Sequence, residues 1–151
     1  MQNEERLIEI NALLIKINKE RKRITRMCAE PLGLTMSQVM VLKAANDHPG
    51  SIQKELSCET GIATTVLVGI LTKMENAGLL CRRTCADNRR IYQIFLTEKG
   101  MQYIGEIDRI TVSAMQEITR GFSEEELALL GRLLLRIHDN CVASPRNTGE
   151  K

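Results

Sequence analysis

The chain has 151 residues, enough for one domain with a sizeable hydrophobic core. Aromatic residues make up only 3%, so the core must be built from Leu, Ile, Val and Met, which favours packed helices over a β-sandwich. A net charge of +2 is too small to indicate nucleic-acid binding by itself. Because no apolar run approaches the roughly 18 residues that a membrane span needs, we predict a cytoplasmic protein with no membrane partner.

Residues 5–29 are predicted to form one long helix. Its apolar residues, from Leu7 to Ile24, recur at spacings of three, four or seven, which places them in one narrow stripe. Pro31 and Gly33 end the helix. A narrow apolar stripe on a long terminal helix is typical of a helix that packs against a partner helix.

Basic side chains are concentrated in two segments of the sequence. Residues 16–26 contain six basic residues and one acidic residue, and residues 82–90 contain four arginines and one aspartate. Each segment is either an ordinary solvated surface or a surface for a negatively charged partner. The acidic balance lies later, for example at residues 124–126.

A second helix is predicted from Thr35 to about Asp47. Gln38 lies three residues after Thr35, so the two side chains can form a capping box. The His-Pro-Gly sequence at residues 48–50 forms the turn that follows.

Two helices joined by a tight turn come next. The first is short, about 52–59, with Ser51 as its predicted N-cap and Gly61 at its end. The second extends from about residue 63 to 76 and has one apolar face. A short capped helix, a turn with glycine and a second amphipathic helix are typical of a helix-turn-helix motif. The predicted apolar face consists of Leu67, Ile70, Leu71 and Met74.

The periodicity then changes to that of β-strands. Residues 79–85 and 90–96 flank a turn-forming tetrapeptide at 86–89, and the second segment is rich in strand-forming residues. This pattern predicts a β-hairpin directly after the helix-turn-helix, which is the position of a wing.

Two long helices complete the predicted fold. Thr97 caps the first, predicted over 98–121, and Ser123 with Glu126 forms a capping box for the second, which fades near Cys141. Residues 144–151 are predicted to be a flexible tail. The fold class is therefore mainly α with a small β-hairpin wing, a winged helix-turn-helix between long terminal helices.

Five short motifs stand out along the chain: Leu34-Thr35-x-x-Gln38, Gln53-Lys54-Glu55-Leu56, Met74-Glu75-x-x-Gly78-Leu79, Asp87-x-Arg89 and Leu96-Thr97-Glu98-Lys99-Gly100. In this order and at this spacing the sequence resembles the MarR family of bacterial regulators, from about residue 5 to 142. This resemblance implies a homodimer, joined by helical regions at 1–33 and 98–143, with residues 34–97 as the DNA-binding lobe. It also implies a pseudo-palindromic operator in double-stranded DNA and a small apolar or aromatic acid as effector.

The resemblance places the DNA contacts on the second helix of the motif and on the hairpin. Arg89 at the hairpin tip is expected to enter the minor groove, with Asp87 bracing the turn; the other interpretation of this tip is a solvated turn. Arg82, Arg83 and Arg90 are expected to contact phosphates. The outward face of the helix, which we expect to enter the major groove, carries Thr64, Thr65, Val68, Gly69, Thr72 and Lys73.

Two features of the sequence leave alternatives open. Val68-Gly69 stands where family members often have a polar pair with an arginine, which puts the usual contact to guanine in doubt. Cys28 lies in the region where peroxide-sensing members carry a reactive cysteine. We favour a buried, inert thiol and keep Cys28 as a redox candidate. The five cysteines have no metal-ligand spacing, so we predict free thiols, no metal and no cofactor.

The function predicted from these features is a DNA-binding transcriptional regulator, a repressor released by a small-molecule ligand. An enzyme is not expected, because the sequence has no nucleophile–base set, phosphate-binding glycine loop or paired carboxylates at a meaningful spacing. The alternatives are a winged-helix protein-interaction module with weak or lost DNA binding, and a cysteine-based redox-sensing regulator.

Overall fold

The computed structural model describes residues 2–85, 88 and 90–143. It confirms the predicted class, mainly α with a hairpin directly after a helix-turn-helix. Contacts divide the chain into two units, residues 1–114 and 115–151, and each is described by itself. The described elements are α1 (Gln2–Ala29), α2 (Met36–Asp47), α3 (Gln53–Thr60), α4 (Thr64–Asn76), β1 (Leu80–Thr84), β2 (Tyr92–Leu96), α5 (Glu98–Ile118) and α6 (Glu124–Ala143).

The core of the first unit is built almost entirely from aliphatic side chains, as the composition predicts. These side chains come from the inner faces of α2, α3, α4, the hairpin and α5. Burying one of them contributes about 1.5–3 kcal/mol, so this cluster is the main source of stability of the unit. The largest fully buried members include Leu42, Leu56, Leu67, Leu71, Met74, Leu79, Ile94 and Ile107.

Only the C-terminal end of α1 is packed against this core. Cys28 and Ala29 are buried and Ile24 is partly buried against the cluster. Most of the apolar residues nearer the start of the helix, among them Leu7 and Ile17, are exposed, and Leu14 is half-buried. Most of the predicted apolar stripe of α1 is therefore uncovered in the single chain.

The N-terminus of α2 carries the predicted capping box. The Thr35 N–H donates to Gln38 Oε1 at 2.8 Å, and the Gln38 N–H donates to Thr35 Oγ1 at 3.2 Å. A 3₁₀ turn at Glu30–Leu32 separates α1 from this cap, and Gly33 ends it with a φ of 63°. This positive φ is available to glycine at little cost.

The predicted N-cap of α3 is wrong by one residue. Ile52 occupies the cap position, and its N–H donates to Glu55 Oε2 at 2.9 Å. The Ser51 hydroxyl instead donates to the His48 carbonyl oxygen at 2.7 Å and closes the preceding turn. Ser51 is not free to cap because its backbone is paired with β2.

Residues 50–52 run antiparallel beside β2 and connect the hairpin to the helix-turn-helix. The Gly50 N–H donates to the Ile94 carbonyl oxygen, and the Ile94 N–H donates to the Ser51 carbonyl oxygen, both at 3.0 Å. Ile52 forms an isolated bridge with Gln93. This third extended segment, which no pattern in the sequence indicates, orients the hairpin relative to α3.

The hairpin strands are shorter than predicted but lie at the predicted place. Leu80 is opposite Leu96 and Thr84 is opposite Tyr92. The pairing continues one step further, because the Cys85 N–H donates to the Ile91 carbonyl oxygen at 2.9 Å.

The end of α4 and the start of α5 form one joint, and two of the sequence motifs meet there. The Thr97 hydroxyl donates to the Gly78 carbonyl oxygen at 2.6 Å and accepts from the Gly100 N–H at 3.1 Å. Lys99 Nζ donates to the Ala77 carbonyl oxygen at 2.8 Å. The carbonyls left unpaired where α4 ends are thus bound by residues that begin α5.

Gly100→Ala is expected to destabilise the protein by about 1–3 kcal/mol, because it overpacks this joint. Gly100 is buried, and an added Cβ would overlap the Leu79 carbonyl oxygen, a backbone atom that also accepts from Thr97 N–H. Gly105, in the same helix, provides the control, since a Cβ added there would meet no atom within 4 Å beyond the nearby backbone of the helix itself. Gly105→Ala should raise the free energy of unfolding by about 0.5–1 kcal/mol. Urea unfolding measures the free energy of unfolding of both variants, and equal changes in the two would contradict the proposed overlap at Gly100.

The second unit consists of α6 and the residues that lead into it. The predicted capping box is present: the Ser123 N–H donates to Glu126 Oε2 at 2.8 Å, and the Glu126 N–H donates to Ser123 Oγ at 3.2 Å. Helix α5 ends at Ile118, before the predicted Gly121. Every residue of α6 is exposed, including leucines at helical spacing. The predicted tail, 144–151, lies outside the described residues.

Candidate nucleic-acid interface

Helix α4 divides into a buried face and an exposed face. Leu67, Leu71 and Met74 are buried and Ile70 is partly buried, as the apolar spacing predicts. Residues 64–73 contain no acidic side chain. The structure brings together on the exposed face the six residues predicted there: Thr64, Thr65, Val68, Gly69, Thr72 and Lys73.

The N-terminal end of α4 is fixed to α3 by polar contacts. Gln53 Nε2 donates to the Thr64 carbonyl oxygen at 3.2 Å. The Thr64 hydroxyl donates to Ser57 Oγ at 3.2 Å, and the Ser57 hydroxyl donates to the Ile62 carbonyl oxygen at 2.7 Å. The angle between the two helices of the motif is therefore held by side chains as well as by the core.

Arg82 bonds the hairpin to α4. Its Nη2 donates to Thr72 Oγ1 at 3.2 Å, and its Nε lies 3.5 Å from Glu75 Oε2. Its side chain is only 27% exposed. The Thr72 hydroxyl in turn donates to the Val68 carbonyl oxygen at 3.0 Å. Two of the residues predicted to contact DNA thus also hold the hairpin against the helix.

The other described arginines of the hairpin have different surroundings. Arg83 is opposite Gln93 in the register, and its guanidinium lies 4.9 Å from the centre of the Phe95 ring. Such a cation–π contact fixes the side chain while leaving its charge available. Arg90 is exposed, and its N–H donates to Asn88 Oδ1 at 3.0 Å. Asp87 and Arg89, predicted at the hairpin tip, lie outside the described residues.

A cleft of about 280 Å³ lies between α3, the start of α4 and the hairpin. Lys54, Arg82 and Arg90 contribute cationic side chains to it, and its lining contains no carboxylate. Gln53 and Lys54 were not predicted as site residues, although both belong to the motif Gln53-Lys54-Glu55-Leu56. The lining residues are Ile52, Gln53, Lys54, Thr64, Leu71, Arg82, Arg90, Ile91, Tyr92 and Ile94.

Cys28 is distant in sequence from these residues and is 2% exposed. Its Sγ lies 3.5 Å from Thr111 Oγ1 and 3.9 Å from the Ile107 carbonyl oxygen.

Within the described ranges, no group of three His, Cys, Asp or Glu side chains is placed to bind a metal ion. In that same part of the chain, no single helix is long and apolar enough to cross a membrane. Helices α3 and α4, taken together as a bent pair, are long and apolar enough, but only length and composition point to a span there.

Comparison with known proteins places the fold among bacterial regulators. The model of the MarR family matches residues 34–92. A MarR family protein from Bacillus stearothermophilus superposes with a TM-score of 0.83 at 24% identity, over 92% of this chain and 97% of that one. The transcriptional regulator PA3341 superposes with a TM-score of 0.74 at 30% identity, over 89% of this chain and 99% of that one.

A third solved structure concerns a regulator with a small-molecule effector. BpsR from Bordetella bronchiseptica, whose DNA binding is regulated by 6-hydroxynicotinic acid, superposes with a TM-score of 0.70 at 20% identity. The alignment covers 86% of this chain and 98% of that one. At this identity the likeness concerns the fold.

A helix-turn-helix with an exposed second helix, followed by a hairpin with basic residues, defines the winged helix-turn-helix class of transcriptional regulators. The chain belongs to the MarR family. This confirms the resemblance found in the sequence.

Proposed function

We propose that the protein is a transcriptional repressor that binds a pseudo-palindromic operator as a homodimer and releases it when a small apolar or aromatic acid binds. The observation that carries the proposal is the exposed face of α4, which has no acidic side chain and adjoins a cleft lined by three cations. A helix of this kind suits the major groove, and cations beside it suit the flanking phosphates.

The uncovered apolar faces of the terminal helices support the homodimer. Helix α6 exposes Leu127, Leu130, Leu134 and Ile137, which share one side of the helix. Most of the apolar stripe of α1 is exposed as well. In a two-fold dimer, each copy of the chain can cover the apolar faces of α1 and α6 of the other copy. We therefore assign 1–33 and 98–143 to dimerisation and 34–97 to DNA binding.

The chemistry of the α4 face supports an A·T-rich operator with modest sequence discrimination. Val68 and the threonines offer methyl and hydroxyl groups, which suit thymine methyls better than guanine edges. The guanidinium of Arg82, which contacts this face through Thr72, also pairs with Glu75. Most of the affinity should then come from phosphate contacts and from DNA shape.

The proposed effector class is supported by one of the similar structures. The DNA binding of BpsR is regulated by 6-hydroxynicotinic acid, a small aromatic acid. A cleft with cations over an apolar floor, such as the one lined by Arg90, Ile91 and Ile94, has the chemistry to hold a molecule of this class.

The deciding experiment is a binding titration of the purified protein at several salt concentrations. Duplexes selected from a random pool and from the promoter of its own gene serve as probes. Affinity should fall steeply with salt, with a log–log slope of about −0.9 for each phosphate contact. If the protein selects no duplex from the pool and does not bind the promoter, the alternative of a protein-interaction module is favoured.

Arg89→Ala is expected to weaken operator binding by about 1–3 kcal/mol, roughly 5- to 150-fold, because it removes a cation proposed to enter the minor groove. Fluorescence anisotropy measures the change. Arg120→Ala is the control, since Arg120 is exposed in the turn between α5 and α6. Equal affinity of the two variants would remove the hairpin tip from the interface.

A further inference from the structure

Five basic residues form a continuous stripe on the exposed surface of α1. In a helix with 3.6 residues per turn, they fall within about 120° of the circumference and about 15 Å of the axis. Between residues 16 and 26, every residue in this arc is basic, and all five are exposed. The basic stripe consists of Lys16, Lys19, Lys22, Arg23 and Arg26.

The basic stripe lies on the side of α1 that faces away from the core. Ile24 and Cys28, which pack against the core, lie roughly opposite the stripe on the helix. Arg23 pairs with Glu20 at 3.4 Å. Among the described residues, the other four cations of the stripe have no acidic partner within 4 Å. Their charge is therefore available to a partner outside the chain.

The basic stripe cannot be a surface that two copies of the chain bury against each other. Two copies of the same stripe would repel one another, and burying several unpaired ammonium and guanidinium groups costs several kcal/mol each. The apolar stripe of α1 occupies other positions on the helix, so the protein can dimerise while the basic stripe stays in solvent.

We propose that the basic stripe binds the phosphate backbone of DNA flanking the segment contacted by α4 and the hairpin. This inference rests on the proposed DNA-binding function and extends its footprint. Exposed Ile8 and Ile15 continue the same arc towards the N-terminus, but between residues 16 and 26 the arc carries only cations. A duplex matches this density of charge, since it carries about one negative charge per 1.7 Å of axis, or about nine over the length of the stripe.

The test compares two duplexes, a core operator and the same core extended by about ten base pairs on each side. The stripe variant is Lys19→Gln/Lys22→Gln/Arg26→Gln in the full-length protein. The control is Arg109→Gln/Arg120→Gln/Arg132→Gln, which changes the net charge equally at exposed residues outside the stripe. Sedimentation and thermal unfolding establish that both remain folded and have the oligomeric state of the wild type.

Wild type and control should bind the extended duplex about fivefold or more tightly than the core. The stripe variant should bind the core normally without this gain in affinity, and its salt slope on the extended duplex should drop by about 0.9 for each phosphate that the stripe no longer neutralises. A wild type that binds both duplexes equally overturns the inference and leaves the proposed function intact. A stripe variant that keeps the gain also overturns it, and would assign the stripe to another partner, such as an acidic protein. Absence of binding to the core duplex by the wild type refutes the proposed function itself.

Discussion

Leu134→Asp is expected to convert the proposed dimer into monomers at micromolar concentration. Leu134 is 47% exposed on the apolar side of α6, in a helix without a buried residue. Covering a leucine in a dimer contributes about 1.5–3 kcal/mol, and an unpaired buried aspartate costs several kcal/mol. Because the change occurs twice per dimer, the loss is on the order of 10 kcal/mol, which exceeds the roughly 8 kcal/mol of a micromolar complex.

Leu135→Asp is the matched control for this experiment. Leu135 is 60% exposed and lies about 100° further round the helix, away from Leu127, Leu130 and Ile137. Sedimentation of the wild type and both variants decides the outcome. A folded, monomeric wild type at micromolar concentration would refute the dimer, and equal behaviour of the two variants would place the interface elsewhere. Deletion of residues 1–24 should cause aggregation or loss of folding, because it removes most of the apolar stripe of α1, one of the two surfaces proposed to form the dimer.

The N-termini of α2 and α6 could be predicted because their determinants are local. The pairs Thr35 with Gln38 and Ser123 with Glu126 each lie three residues apart, and both form the expected reciprocal hydrogen bonds. The inner face of α4 follows from the 3.6-residue period in the same way. Such features depend on neighbours within one helical turn, so the sequence pattern determines them.

Features that depend on distant residues were missed. Ser51 has the chemistry of an N-cap, but its backbone pairs with Ile94, and only the fold brings the two together. In the sequence, nothing distinguishes Arg82 from the other arginines of residues 82–90. Its contacts with Thr72 and Glu75 result from the packing of β1 against α4, which no local pattern specifies.

Gly69→Arg is expected to fold like the wild type and to bind DNA more tightly, with a new preference for guanine. Gly69 is exposed, and a Cβ there would meet no atom within 4 Å, so tight packing against a neighbouring helix does not explain this glycine. Replacing it removes about 1 kcal/mol of helix destabilisation. An arginine adds the fork of donors that matches guanine, a contact worth about 1–3 kcal/mol, or roughly 5- to 150-fold in discrimination.

Gly69→Ala separates the two effects of this substitution. It stabilises the helix as Gly69→Arg does but adds no donor, so unfolding measurements should agree for the two variants while their DNA affinities differ. If the backbone at Gly69 approaches the DNA closely, the added methyl group of alanine should weaken binding, because it would occupy the space that the bare backbone leaves open.

Selection from a random pool of duplexes measures the preference directly. The wild type should select an A·T-rich consensus, since the face formed by Thr65, Val68 and Thr72 presents methyl and hydroxyl groups. Gly69→Arg should gain a G·C pair at one position in each half-site, because the two copies of α4 contact symmetry-related bases. A G·C-centred consensus for the wild type would contradict the assigned chemistry of α4. Unfolding of Gly69→Arg would show that residue 69 is packed inside the protein and does not face the groove.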